Sequence, residues 1–258
     1  MFRHQGKSRT LKHNIHLATV LSFVAGLVNV TGFLSFKQLT TNVTGHFALF
    51  VNDVSHFEFW KGTIYFLYIF SFLFGSFTSA FLLEKFNETK KLNVFALPTL
   101  MESLILISIA LLSHVTGLLN PDLVVCMLLF SMGLQNSYVT KISNAVVRTT
   151  HLTGLFTDLG IELSQLLFPI TKLKRNSIKA TIKLRVYIIG FFFLGGLAGG
   201  FFFSTMNLKL NTLLIGAAIL LLGLFYDDFR FWYLTSKRRH VKKQHCQKGH
   251  PKQAKKIK

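Results

Sequence analysis

Six segments of the chain are each apolar over the roughly 20 residues that an α-helix needs to cross a lipid bilayer. These segments are approximately 16–36, 62–83, 95–118, 122–140, 185–206 and 210–229. Half of the 258 residues are hydrophobic and 28 are phenylalanine, more than the core of a soluble domain of this size requires. Backbone polar groups in a bilayer must be satisfied within the protein, which favours helices. The sequence therefore predicts an all-α polytopic membrane protein with six transmembrane helices.

Basic residues are frequent in every second connection and scarce in the others. The basic segments are 1–15, 84–91, 172–185 and the tail that begins at residue 230. The remaining connections contain only Lys37, Lys61 and Lys209. Because basic loops stay in the cytoplasm, we expect a cytoplasmic (inner) membrane protein with both termini in the cytoplasm. Lysine and arginine beside a membrane also attract anionic lipid headgroups, so the net charge of +19 is assigned to topology and lipid, not to nucleic acid.

A motif of the form TTxxTGxF occurs twice, at 40–47 and at 149–156. Each copy follows a Gly-x-x-Asn in an apolar stretch and precedes a cluster of small residues. The two Gly-x-x-Asn patterns begin at Gly26 and Gly133, and the two small-residue clusters begin at Gly75 and Gly195. Repetition of several patterns in one order indicates that the chain consists of two related halves.

Each predicted half contains three spans, so the second half must enter the membrane from the opposite side. The halves are 16–119 and 120–232, preceded by a basic N-terminus (1–15) and followed by a basic tail, 233–258, without apolar periodicity. Inverted repeats of this kind are common in secondary transporters, where broken helices from both halves meet at the substrate site. The sequence is also compatible with a homodimer that packs through its glycine-rich helix faces.

Segments 47–59 and 152–169 follow the two motifs and are candidates for short re-entrant or interfacial helices. The first is too short to cross a bilayer. The second is long enough but contains Asp158 and Glu162 and ends at Pro169. The alternative is that segment 47–59 lies on the membrane surface and that segment 152–169 is a seventh crossing. That crossing would move the basic segment 172–185 to the outside, against the charge rule.

The repeated motif also suggests a binding site. Threonine and asparagine cap helix N-termini, so Thr44-Gly45 and Thr153-Gly154 are predicted to begin short helices whose free N–H groups and positive dipole end favour an anion. Simple capping and tight turning are the structural alternative. The candidate substrate-binding residues are Asn29, Asn42, Thr44, Gly45, Gln135, Asn136, Thr150, Thr153 and Gly154.

Three of these candidates are uncharged polar residues inside apolar helices. Asn29, Gln135 and Asn136 must find hydrogen-bond partners there. Those partners are either neighbouring helices or a solute. Their equivalent placement in the two halves favours a shared site, while interhelical bonding alone also accounts for them.

Acidic residues at membrane depth are expensive and usually face the interior of the bundle. Glu102, Asp158 and Glu162 are therefore candidate proton or cation acceptors. Alternatively, Glu102 lies near the headgroups, and Asp158 and Glu162 pair with Arg148 or Lys141.

No cofactor or metal is predicted. The tail residues His240, His245, Cys246 and His250 fit no standard metal-site spacing. The sequence also lacks the nucleotide-binding loop and the nucleophile and metalloprotease motifs, so an enzyme is not expected.

At these motifs the chain resembles the YoaK-like family of bacterial integral membrane proteins, a family of unknown function. The likeness covers roughly residues 15–230. It rests on Gly26-x-x-Asn29-x-x-Gly32-Phe33-Leu34, Asn42-x-Thr44-Gly45, Gly133-x-Gln135-Asn136, Arg148-Thr149-Thr150-x-x-Thr153-Gly154 and Thr157-Asp158-Leu159-Gly160. The family usually has Asp where this chain has Asn29, and Asn where it has His46. The resemblance implies a multi-pass cytoplasmic-membrane protein and supplies no substrate.

The sequence predicts a permease for a small polar or anionic solute. Two alternatives remain. One is a non-transporting scaffold that binds anionic lipid or a protein partner through its basic cytoplasmic face. The other is an intramembrane enzyme that acts through Asp158, Glu162 and His151.

Overall fold

A computed structural model describes residues 10–86, 95–114 and 120–226, and this part of the chain is helical with no β-strand. The helices are α1 (Leu11–Phe36), α2 (Val43–Ser55), α3 (Phe59–Phe86), α4 (Ala96–Leu112), α5 (Pro121–Ser143), α6 (Leu152–Gln165), α7 (Lys172–Gly200) and α8 (Lys209–Tyr226). A π-helical turn, Phe201–Thr205, prolongs α7, and α8 begins with the 3-10 turn Lys209–Asn211. The described part of the chain thus contains eight helices, six of which correspond to predicted spans.

Five helices are long and apolar enough to cross a membrane, namely α1, α3, α5, α7 and α8. The predicted span 95–118 corresponds to α4, which has 17 residues and so lies at the lower limit for a crossing. Part of that window and the end of window 210–229 lie outside the described residues. The same holds for the tail 233–258 with its four candidate metal ligands, and for residues 1–9 of the basic N-terminus.

The helices after the two motifs are both short. Helix α2 has 13 residues and α6 has 14, and a helix of 14 residues is about 21 Å long. The hydrocarbon core of a bilayer is about 30 Å thick. Helix α6 is therefore too short for the seventh crossing that the sequence left open.

Helices α1 and α7 pack side by side through glycine. A Cβ atom on Gly26 would collide with the carbonyl oxygen of Phe192, and one on Gly195 would collide with that of Phe23. Phe23 faces Gly195 and Leu27 faces Gly199, so the two helices run parallel. The missing side chains let the backbones approach closely, which is how small residues drive helix association in membranes.

Helices α3 and α5 repeat this packing. A Cβ atom on Gly133 would collide with the carbonyl oxygen of Phe72, and one on Gly75 with that of Phe130. The Ser76 hydroxyl also donates a 3.1 Å hydrogen bond to the carbonyl oxygen of Gly133. Each close pair therefore combines one helix from each half of the sequence, so the halves interlock.

The core lies around α1 and α5. In each of them 61% of the apolar stretch is buried, compared with 22% in α3 and 17% in α7. The two central helices run antiparallel, because Gln135 late in α5 bonds to the carbonyl oxygen of Leu21 early in α1, whereas Leu128 lies beside Gly32. The loops that follow α1 and α5, which carry the repeated motif, consequently lie at opposite ends of the bundle.

We expect Gly26→Ala to destabilise the protein, because the new methyl group would collide with backbone of α7 rather than with a movable side chain. Overpacking of this kind costs roughly 1–3 kcal/mol. Gly190→Ala on α7 is the matched control, since a Cβ atom there meets nothing within 4 Å. Thermal unfolding in detergent should show a lower Tm for Gly26→Ala alone, and equal Tm values in both variants would contradict the close-packing account.

Candidate functional site

The repeated motif forms the entry into each short helix. Helix α2 begins at Val43 after the N-cap Asn42, whose Oδ1 accepts a 3.1 Å hydrogen bond from the Gly45 amide. Helix α6 begins at Leu152 after the N-cap His151, whose side chain makes no capping bond. The prediction of helix starts at the motif is confirmed. Thr44 and Thr153 are not the caps, however, but exposed residues one position inside each helix.

One hydrogen bond occurs in the same place in both halves. The Thr41 hydroxyl donates to Asn29 Oδ1 over 2.9 Å, and the Thr150 hydroxyl donates to Asn136 Oδ1, also over 2.9 Å. Each bond ties a motif loop back to the long helix that precedes it. Asn29, Asn136 and Thr150 thus have hydrogen-bond partners within the protein, which agrees with the alternative that these side chains bond to the protein itself. The amide nitrogen of Asn136 is buried and has no hydrogen-bond partner among the described residues.

Gln135 joins the two halves at the centre of the bundle. Its side chain is completely buried, and its Nε2 donates to the Leu21 carbonyl oxygen (2.8 Å) and to the Thr149 hydroxyl (3.2 Å). Its Oε1 has no partner. The corresponding first-half threonine, Thr40, is also fully buried and packs against Gly32. Gln135 is therefore a bridge between α1, α5 and the second motif loop.

Helix α6 is held against α7 by ion pairs. The Arg185 guanidinium binds Glu162 with two parallel bonds of 2.9 Å and binds Asp158 Oδ2 at 3.0 Å. The Arg185 side chain is 21% exposed and that of Glu162 is 13% exposed. Such forked arginine–carboxylate contacts are strong and directional. The alternative partners that the sequence suggested are wrong, because Lys141 pairs with Glu84 and Arg148 has no acidic partner in the described part of the chain.

A cleft of about 460 Å³ opens beside the N-terminus of α6. Apolar residues such as Val146, Leu155 and Leu184 form more of its wall than polar groups do. The lining includes Arg148, His151, Gly154, Asp158, Thr181 and Arg185. Free N–H groups at a helix start next to an exposed arginine favour negative charge. The cleft is thus the part of the described structure best suited to an anionic group.

Glu102 lies away from this cleft. It is fully buried in the helical core and its Oε2 accepts a 2.9 Å hydrogen bond from the Tyr138 hydroxyl of α5, while Oε1 has no partner. The carboxylate of Glu102 therefore faces the interior of the bundle. Among the described residues Glu102 is the one carboxylate that is completely buried.

The candidate residues consequently fall into three places. Asn29, Asn42, Thr44 and Gly45 surround the first motif at one end of the bundle. The candidates in and around the second motif lie at the other end of the bundle, and they are Asn136, Thr150, Thr153, Gly154, Asp158 and Glu162. Gln135 links the second motif to the core. Glu102 stands apart with Tyr138.

Two polar groupings were missed by the sequence analysis. Arg185 was counted only within the basic segment 172–185, although it also begins the predicted span 185–206, and a cation at the edge of an apolar span usually has a partner. The second is a ring cluster on α2 and α3, where buried His46 bonds to the Leu39 carbonyl oxygen (2.7 Å) and packs against Tyr65 and Tyr68. Tyr68 in turn donates a 2.5 Å bond to Asp122. No spacing rule predicts that cluster.

Apolar helices that interlock around buried glycine contacts, with short helices at opposite ends, define a multi-pass helical membrane protein. The chain belongs to the family described as "Protein of unknown function (DUF1275)", which matches residues 17–226. This match confirms the resemblance found over roughly residues 15–230. No curated protein and no solved structure matches the chain.

We expect Arg185→Gln to loosen α6, because it removes the guanidinium that holds both Asp158 and Glu162. Loss of charge-assisted bonds costs roughly 1.5–3 kcal/mol. Leu155→Cys, in a background lacking Cys126 and Cys246, reports on this, since Leu155 lines the cleft and is 4% exposed. Its maleimide labelling should accelerate by roughly tenfold.

Glu84→Gln is the control for that experiment. It breaks the Lys141–Glu84 pair on α3 and α5 without touching α6, so labelling at position 155 should stay slow. Equal labelling rates in Arg185→Gln and in the parent protein would show that the ion pairs do not hold α6.

Proposed function

We propose that the protein is a permease of the cytoplasmic membrane for a small polar or anionic solute. In this proposal α1, α3 and α4 form the first three-span repeat and α5, α7 and α8 form the second, inverted one. Helices α2 and α6 enter from opposite sides as half-helices, and both termini face the cytoplasm. Secondary transporters commonly bind their solutes where such discontinuous helices approach the interface between repeats.

The observation that carries the proposal is the matched bond between Asn29 and Thr41 and between Asn136 and Thr150. Two copies of one hydrogen bond, on antiparallel helices, are expected when two related halves fold alike and insert in opposite directions. The paired glycine contacts at Gly26 and Gly133 support the same symmetry. In known folds of this kind, alternating access follows from the rocking of one repeat against the other.

An anionic solute suits the second motif best. The start of α6 has no side-chain cap and faces the cleft together with Arg148 and His151. At the first motif Asn42 already occupies the Gly45 amide. Thr150, Thr153 and Gly154 are therefore proposed to bind the solute from the cytoplasmic side. Asn42, Thr44 and Gly45 are proposed as the weaker outer site, where an anion must displace the Asn42 side chain from the Gly45 amide.

Glu102 is proposed as the acceptor of a coupling proton or cation. Asp158 and Glu162 were the other acidic candidates from the sequence, but both are bound to Arg185, which occupies them as long as α6 is in place. Glu102 keeps one oxygen without a partner. Burial of such a group at membrane depth is costly and is usually linked to function.

The inverted arrangement predicts opposite accessibility of the two motifs. Thr44→Cys and Thr153→Cys, each exposed, are placed singly in a protein without Cys126 and Cys246. An impermeant maleimide should label the first only from outside and the second only from the cytoplasmic side. Asn120→Cys, exposed between α4 and α5, is the outer control. Labelling of both motifs from one side would overturn the inverted repeat.

Transport is tested in proteoliposomes on a solid-supported membrane, with inorganic phosphate, acetate and succinate as probes. We expect a transient current with at least one anion. Replacing Thr153 and Gly154 with leucine should reduce the current by roughly tenfold or more, because the anion-binding helix start is then covered. Gly160→Leu on the same helix is the control, since a Cβ atom there meets no other part of the protein within 4 Å. Absence of current with every anion, or full current in the double variant, would refute the proposal.

A further inference from the structure

One face of α7 is exposed along its whole length. Residues three and four apart share a helix face, and this face begins with cations and continues with apolar side chains. The exposed cations are Lys172, Arg175, Lys179 and Lys183. The exposed apolar residues that follow on the same face are Val186, Phe193, Leu194, Leu197 and Phe201. We call the four cations the basic stripe.

The basic stripe points away from the rest of the protein. Ile178, Leu184 and Ile188 are buried on the other side of the helix, and Thr181 and Arg185 line the cleft toward α6. No residue of the stripe forms an ion pair with a carboxylate within the described ranges. The Lys183 ammonium instead lies 5.9 Å from the centre of the Tyr187 ring. Within the described residues, these four neighbouring positive charges therefore face the surroundings without a carboxylate partner.

The change from cations to apolar residues marks a membrane boundary. From Val186 to Thr205 the helix rises about 30 Å, which equals the thickness of the hydrocarbon core. When this apolar part fills the hydrocarbon, Lys183 and Lys179 lie within the first two turns outside it, at the level of the lipid phosphates. Tyr187, at the boundary, is the kind of residue that lines membrane interfaces.

We propose that this face of α7 is a binding site for an anionic phospholipid of the cytoplasmic leaflet. The lipid phosphate binds Lys179 and Lys183, with Arg175 within reach of the headgroup. The acyl chains lie along Val186, Phe193 and Leu197. Space for a chain exists at Gly190, where nothing lies within 4 Å of a Cβ atom. The opposite face of the same turns binds α6 through Arg185, so lipid and α6 occupy two sides of one helix segment.

The proposal concerns lipid binding alone and is tested without any solute. Tyr187→Trp is introduced into the full chain, with Trp60 and Trp232 replaced by phenylalanine, so that fluorescence reports from the boundary. The protein is reconstituted with brominated phosphatidylglycerol or brominated phosphatidylcholine. Quenching should show a preference for the anionic lipid of roughly thirtyfold, the factor expected for two lysines near the surface.

Lys179→Gln combined with Lys183→Gln should reduce this preference to about onefold, because the phosphate loses its attraction. Both side chains are exposed, so the fold should not change. Lys61→Gln combined with Lys209→Gln, which removes cations far from α7's basic stripe, is the matched control and should keep the preference. An equal loss in the control, or an unchanged preference in the stripe variant, would overturn the proposal.

Discussion

Backbone contact at glycine is the interaction on which the rest of the structure depends. Gly26 and Gly195 join α1 to α7, and Gly75 and Gly133 join α3 to α5. Helices in lipid gain little from the hydrophobic effect, so close packing and polar contacts must hold them together. Each glycine pair joins one helix from each half. Neither half can therefore complete its own packing, and the four long helices form one interlocked unit.

The interlocked unit fixes the positions of the motif loops. Because α1 and α5 are antiparallel and central, the loops that follow them emerge at opposite ends of the bundle. The hydrogen bonds at Asn29 and Asn136 then hold each loop against its helix. Buried Gln135 adds a link from α1 across α5 to the second loop. A change in the relative tilt of α1 and α5 would thus act on the second loop directly.

Much of this architecture follows from the sequence, and particular residues show where prediction ends. The length of the apolar segments predicted the long helices. The repeated Gly-x-x-Asn and TTxxTG patterns predicted that Asn29 corresponds to Asn136 and that Thr41 corresponds to Thr150. Small-residue clusters indicated close packing but not which helices meet, because periodicity along one helix contains no information about its partner. The pairing of Arg185 with Glu162 escaped for the same reason, since it depends on how α6 folds back against α7.

The two halves differ most in how their short helices are fastened. Helix α2 is held by aromatic packing, with the His46 ring against those of Tyr65 and Tyr68 on α3, whereas α6 is held by the charges around Arg185. Ring packing at α2 involves no ion pair, while partly exposed ion pairs weaken when competing charge or salt approaches. A negatively charged solute in the cleft beside α6 would compete with Asp158 and Glu162 for the same guanidinium. The interaction that fixes α6 is therefore also the one that an anion can disturb, and among the described residues no ion pair joins α2 to another helix.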